Sequence, residues 1–396
     1  MGQVSDKTYT HEGLKVTASS LIKYCLGETK ELKHFLANMF SLCGCVLVKS
    51  EFLKERIRHL DVDKSRSLGE IVKAMRFSSF QSRNLALCFE VYRNMLQDED
   101  RPTIFLGLAG ALVPGGMRRV VRDMITHRLV DVLVSTGANL YHDFCEAVGV
   151  PPYIGTPHAD DLKLKDLRID RIYDTYVDED ELNKVDDLIC KMTARLEPKV
   201  YSTREYLHQL GRSLSDGESV LYAAADAGVP VFCPALNDSG IGIALTKYYW
   251  DVVEGEKNRV IIDPIRDNYE VVQIRLKSKK TGVVFVGGGT PKNYIQQMSV
   301  ILDALGHHSR GHNYAVQITT DDPKWGGLSG CTFKEAQSWG KIDEKAMSAV
   351  VYIDATIGLP MLVGAVLQEC SDILAKRKRI EFVWDEHKLV SMKQTL

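Results

Sequence analysis

The spacing of hydrophobic positions changes near residue 100. Before it, residues 14 to 60 read as helical, with Leu32, Phe35, Leu36, Met39 and Phe40 on one face at i, i+3, i+4 intervals. After it come short apolar, β-branched runs at 103–107 (TIFLG), 130–134 (VDVLV), 229–233 (VPVFC), 283–286 (VVFV), 314–318 (YAVQI) and 350–353 (VVYI). Each ends in Gly, Ser, Thr, Asn or Asp and passes into a helical pattern. Strands that are apolar on both faces and alternate with helices imply a parallel sheet covered on both sides. The expected fold is α/β: a doubly wound, mostly parallel, Rossmann-like sheet with helices on both faces and an N-terminal helical segment. Residues 1–64 form that N-terminal extension and 65–396 a single α/β domain. The acid-rich stretch 153–200 reads as an excursion on its surface.

Composition narrows the class. With 396 residues and 45% hydrophobic content, a sizeable core is available. A net charge of -2 provides no basic field for nucleic acid. The one compact basic run, KRKR at 376–379, follows the apolar stretch 361–374 and is expected at a helix C-terminus, where cations complement the macrodipole. Nine cysteines, an odd number with no CxxC pair and no secretory signal at the start, suggest reduced and mostly buried thiols in a cytoplasmic protein. No apolar run approaches the length of a membrane span. His158, Asp160 and Asp161 are metal-ligand types, but carboxylates in such a stretch read as solvated, and no metal is expected.

Ligands of doubly wound sheets gather at the carboxyl ends of the strands. The polar tips after these strands are therefore the candidate chemistry: Thr136, Asp238, the glycines 287–289, Thr320 and Asp354. Gly287, Gly288 and Gly289 follow a strand and precede a helical run, so the backbone there can approach a phosphate at a helix N-terminus. The spacing is neither a P-loop nor G-x-G-x-x-G, and a tight structural turn is the competing reading. The glycines from 107 to 116 either admit a dinucleotide or allow close helix packing, and Asp238 either holds a ribose or caps a turn. Several such tips together favour a nucleotide crevice. A different signal lies in GGLSGCTFKEAQSWGK (326–341). A nucleophilic lysine needs desolvation, and beside Lys341 the indole of Trp339 offers apolar surface and a cation–π face. If 335–341 is one helix, Glu335 and Lys341 lie on different turns but not on opposite faces. The competing reading is an ordinary surface lysine.

The segments at 105–118, 130–139, 234–242 (PALNDSGIG), 287–292 (GGGTPK), 335–342 (EAQSWGKI) and 352–356 resemble, in colinear order, the deoxyhypusine synthase family and its bacterial-type, deoxyhypusine synthase-like branch. The resemblance runs from about residue 65 to 370, and SWGK is its most specific element. It implies an NAD-dependent enzyme, typically a homotetramer, that moves the aminobutyl group of spermidine through an imine on a lysine. That lysine falls on Lys341, the indole wall on Trp339 and the amine-contacting glutamate on Glu335. Implied cofactor contacts are Gly110, Thr136, Asp238, Gly287, Gly288, Gly289, Thr320, Asp354 and Ala355.

Departures bear on the substrate. Two aspartates that hold the amine ends of spermidine are replaced by Ile243 and Leu328. The family's active-site histidine and asparagine positions hold Asn293 and Gln297, both kept as substrate-binding candidates. Gly110 and Ala111 replace a Ser-Asn pair. Asp321, Asp322, Asp143 and His142 are candidates to compensate for the lost acids. The implied activity is transfer to a small polyamine acceptor, as in making homospermidine. The alternatives are a deoxyhypusine synthase acting on a lysine of a translation factor, and a non-catalytic regulatory paralogue.

Overall fold

A computed structural model describes residues 8–11, 14–17, 53–63, 66–251 and 259–395. Packing divides the chain into Met1–Arg58 and His59–Leu396. In the first unit Thr8–His11 pairs antiparallel with Leu14–Thr17. Residues 14–17 are thus strand, not the start of a helix, in keeping with the β-branched and aromatic residues of the two segments. The apolar face at 32–40, with Cys43 and Cys45, lies outside the described residues.

The second unit is built on six parallel strands: β1 (Thr103–Leu108), β2 (Val132–Ser135), β3 (Val231–Phe232), β4 (Thr281–Val286), β5 (His312–Thr319) and β6 (Ile342–Tyr352). Their order is β6-β5-β4-β1-β2-β3, and every pairing is parallel. All six expected runs contribute a strand. The helices that shape the site are α1 (Phe80–Gln97), α2 (Arg118–Thr126), α3 (Gly137–Ala147), α4 (Gly240–Asp251), α5 (Pro264–Lys277), α6 (Gly289–Ala304), α7 (Phe333–Ser338) and α8 (Ala355–Glu369).

Alternation along the strands divides the core. Ile104, Leu106, Leu108, Val284, Val286, Val316 and Ile318 pack with α1, α2 and α8 on one face. Phe105, Val132, Val134, Val283, Phe285 and Ala315 pack with α5 and α6 on the other. A strand buried on both sides leaves its polar chemistry to its ends. The chain runs outward through β1, β2 and β3, then returns to lay β4 beside β1, so the topological switch falls between the carboxyl ends of β1 and β4.

The stretch 153–200 carries a three-stranded antiparallel sheet made of Tyr153–Ile154, Thr175–Asp178 and Ile169–Ile172. Its acids have structural partners. Asp160 caps the helix Asp161–Asp166, and Asp161 takes Arg171 in a bidentate pair at 2.6 and 2.7 Å. The basic run also differs from expectation. Lys376 does end a helix, but Arg377 is buried, donating to the carbonyls of Leu96, Pro102 and Arg128 and pairing with Asp131 at 3.3 Å. Arg379 then opens a C-terminal hairpin. Five of the six described cysteines are buried.

Two predictions follow from buried charge. Asp131 also holds Arg101 through two 2.7 Å hydrogen bonds. Asp131→Asn leaves two buried guanidiniums without a counter-charge, so urea unfolding should show a loss of about 3–5 kcal/mol. His312 is fully buried at the amino end of β5, and burial, with Arg275 nearby, lowers its pKa to about 3. Unfolded, it titrates near its ordinary value of about 6.5. Between these values the unfolded chain binds the extra proton, so stability falls as pH drops from about 6.5 toward 3. The urea midpoint of His312→Asn should fall less steeply over that window than that of the natural chain.

Candidate active site

The carboxyl rim of the sheet gathers the residues expected to hold a cofactor. Just past the end of β1 lies Gly110, whose φ of 72° is in the left-handed region. Thr136, at the end of β2, donates its hydroxyl to Gly110 O at 2.7 Å and its N–H to Leu108 O at 3.0 Å. Buried Asn139 fixes this corner, donating to Thr136 Oγ1 (3.1 Å) and accepting the N–H groups of Leu112 (2.7 Å) and Val113 (3.2 Å). Gly137 lets α3 meet the turn after β3, since a Cβ there would lie 2.4 Å from Ser239 Cβ. That turn presents Asp238, exposed, with its N–H on Ala235 O at 3.0 Å. Behind it, buried Asp267 takes the N–H (2.8 Å) and hydroxyl (2.6 Å) of Thr203, whose oxygen accepts Cys233 N–H at 2.9 Å. Thr320 is exposed just past β5, while Asp354 caps α8 and Ala355 begins it.

The glycine run has a second partner. Gly287 has φ 70° and donates its N–H to Ile318 O at 2.8 Å. A Cβ on Gly288 would come within 2.3 Å of Ser329 Cα, and Gly289 N–H donates to Ser329 Oγ at 3.1 Å. The run is therefore also a seat for the loop 326–332. Half-buried Asn293 and Gln297 follow one turn apart on α6. Lys292, in the first turn of that helix, is buried, and burial lowers its pKa to about 8. Cys331, Glu335, Asp321 and Lys341 are all close enough to act on its charge.

Lys341 lies beyond the helix α7, which does not run through 335–341. Thr332 caps α7 by accepting Glu335 N–H at 3.0 Å, and the helix ends at Ser338. Trp339 is the C-cap, and Gly340 takes φ 64°. Gly340 N–H then reaches Gln337 O and Lys341 N–H reaches Ala336 O, both at 3.0 Å. This is a Schellman closure, and it explains why a glycine separates the indole from the lysine. Lys341 O accepts His312 N–H at 3.1 Å, so its backbone lies at the amino end of β6, the opposite end from the rim. Its Nζ sits 5.2 Å from the centroid of the Trp339 ring. The ring is 61% exposed, so within one chain the indole does not enclose the amine. Glu335 is exposed, as are Leu328 (49%) and Ile243 (58%).

The compensating acids separate by position. Asp143 is fully buried, pairing with Arg118 at 2.8 Å and accepting Ser219 Oγ, Val220 N–H and Leu221 N–H, so it is committed to structure. Asp322 caps a short turn and pairs with Lys324 at 2.9 Å. His142 is half-buried on α3 beside Tyr141, and burial lowers its pKa. Asp321 is exposed at the rim. Sequence reasoning missed Asn139, Asp267 and Gln317; the glutamine was signalled by a polar residue inside the otherwise apolar run YAVQI.

A doubly wound sheet with a glycine-lined switch point and a segregated lysine segment defines the class, and comparison with known proteins supplies the family. The deoxyhypusine synthase family model matches residues 70–366. A "Probable deoxyhypusine synthase 2" of Methanosarcina acetivorans is 44% identical over 326 residues, covering 81% of this chain and 92% of its own. A "Deoxyhypusine synthase-like protein" of Chlorobaculum parvum is 40% identical over 322 residues, covering 80% and 90%. A solved structure of a deoxyhypusine synthase candidate from Entamoeba histolytica superposes with a TM-score of 0.53 at 19% identity, over 84% of this chain and 100% of that one, and supports the fold. The chain belongs to the deoxyhypusine synthase family of transferases, within the branch that includes the bacterial deoxyhypusine synthase-like proteins.

Gly340→Ala forces a side chain into the left-handed region and should lower stability by about 1–2 kcal/mol in urea unfolding. Gly327→Ala, at a site with open space and no positive φ, should leave the unfolding midpoint unchanged or slightly raised.

Proposed function

We propose that this chain is an NAD-dependent transferase that moves an aminoalkyl group, the aminobutyl unit of a polyamine such as spermidine, to a small polyamine acceptor through an imine on Lys341. The observation that carries this reading is the Lys341 segment, in which the Schellman closure sets the amine against Trp339 at 5.2 Å and Glu335 lies one short helix away. A lysine that carries an imine must first be neutral, and an ammonium passing into a lined site needs carboxylates and aromatic faces. Glu335 supplies the charge and Trp339 the face.

The rim fits NAD. No atom lies within 4 Å of the place a Cβ would take on Gly110 or Gly289, so both glycines leave open space at the switch point. Gly110, Gly287, Gly288, Gly289, Thr136, Asp238, Thr320, Asp354 and Ala355 would hold it. NAD, when bound, would supply a hydride acceptor and donor for the carbon beside the substrate amine, the diaminopropane of spermidine leaving as the fragment passes to Lys341. The chain's own residues hold the fragment on Lys341 meanwhile, with Asn293 and Gln297 facing the substrate from α6.

Exposed Leu328 and Ile243 stand where protein-modifying relatives have acids, and this favours an amine pair other than the usual one. Each lost charge-assisted hydrogen bond is worth roughly 1.5–3 kcal/mol. The open face of Trp339 favours completion by a neighbouring subunit, consistent with a homotetramer. Residues 65–396 would act as one domain, in the cytoplasm; among the described residues no helix is long and apolar enough to cross a membrane. A second reading, modification of a protein lysine, is favoured by the name of the archaeal relative at 44% identity.

The test is to incubate the chain with NAD and single amines, reduce with borohydride and map adducts by mass spectrometry. An adduct on Lys341 is expected, and Lys341→Ala should abolish it while NAD binding and folding persist. No adduct and no NADH with any polyamine overturns the reading. Transfer to a lysine-bearing protein but not to putrescine selects the second.

A further inference from the structure

Between the rim and the lysine segment lies a buried polar knot. Lys292, 1% exposed, directs its ammonium at three acceptors: Gln317 Oε1 at 3.0 Å, Ser329 O at 3.3 Å and Cys331 O at 2.5 Å. An ammonium has three protons, so all three donors are used. Gln317, buried on the same face of β5, donates through Nε2 to Gly287 O and Ser329 O, both at 2.8 Å. Five hydrogen bonds thus join the end of β4, the first turn of α6, the middle of β5 and the loop 326–332. Phe285 of β4 and Phe333, the first residue of α7, flank the ammonium at 5.9 and 5.7 Å. The loop runs directly into Thr332, the cap of the helix that carries Glu335, Trp339 and, past its closure, Lys341.

Stability does not account for a lysine here. Replacing a whole buried polar knot by apolar side chains of similar volume is often neutral or stabilising, so burying a charge here brings no stability of itself. The ammonium does what a methionine cannot: it fixes two loop carbonyls, those of Ser329 and Cys331, against the seat of the glycine turn.

We propose that Lys292 and Gln317 are positioning residues that hold the lysine-bearing segment 333–341 in register with the glycine turn 287–289, an inference resting on the reading of Lys341 as the imine-forming amine. Neither touches substrate. They set the separation between two halves of the site whose backbones lie at opposite ends of the sheet.

Lys292→Met and Gln317→Met test this in the full chain, each preserving volume. The expected result is a chain that still folds, with a urea midpoint lowered by the partners left unpaired, and with amide hydrogen exchange faster by about tenfold across 329–341 and by less elsewhere in the fold. NAD affinity, from fluorescence titration, should change little. The rate of borohydride-trapped adduct on Lys341 should fall by about 100-fold, the order expected for displacement of a reacting group by about 1 Å. Unchanged exchange across 329–341, or faster exchange with an unchanged adduct rate, overturns the proposal. Loss of folding in both variants also overturns it, because the pair would then be ordinary core. If the natural chain forms no adduct, the reading of Lys341 fails, while the exchange measurement still tests the clamp.

Discussion

A parallel sheet buried on both faces is the constraint on which the rest depends. Apart from the edge strand β6, its strands admit almost no polar side chain between their ends, so binding chemistry is driven to the rim, and the reversal between β1 and β4 decides which part of the rim opens into a crevice. Gln317 is the exception that reveals the rule. It is polar and buried in mid-strand, and both ends of its amide are engaged by Lys292, Gly287 and Ser329. A buried amide is tolerated only when it is fully paired, and here the pairing joins two otherwise distant parts of the site.

Much of this architecture was legible in the sequence because burial on two faces writes continuous apolar runs, and all six became strands. The outermost strand was read too short. Residues 342–349 include Asp343, Glu344 and Lys345, and the register against β5 jumps between Ile342 and Met347. An edge strand facing solvent need not be apolar, so hydrophobicity alone cannot find its beginning. The antiparallel additions at 153–178 and 379–395 were missed for a related reason: their alternation is weak and few of their residues are buried.

At the site, the positions of Gly110, Thr136, Asp238 and the glycine run on one rim follow from strand-end logic. The role of the glycine run as a seat for Ser329 does not, because that contact links residues 40 apart in sequence. SWGK was legible as a motif but not as a shape. Reading it as helix missed the left-handed Gly340, which ends the helix and turns the lysine into the next strand. Desolvation was expected at Lys341, yet the lysine sealed from water within one chain is Lys292.

The clamp grips the loop 326–332 by its carbonyl oxygens, not by its side chains. Leu328, one residue before the first clamped carbonyl, is left half in solvent. Under the proposed function, substitution there would alter the side chain offered to a substrate without touching the hydrogen bonds that hold the loop. A loop held by its backbone in this way has a position whose side chain can vary while the path of the chain stays fixed.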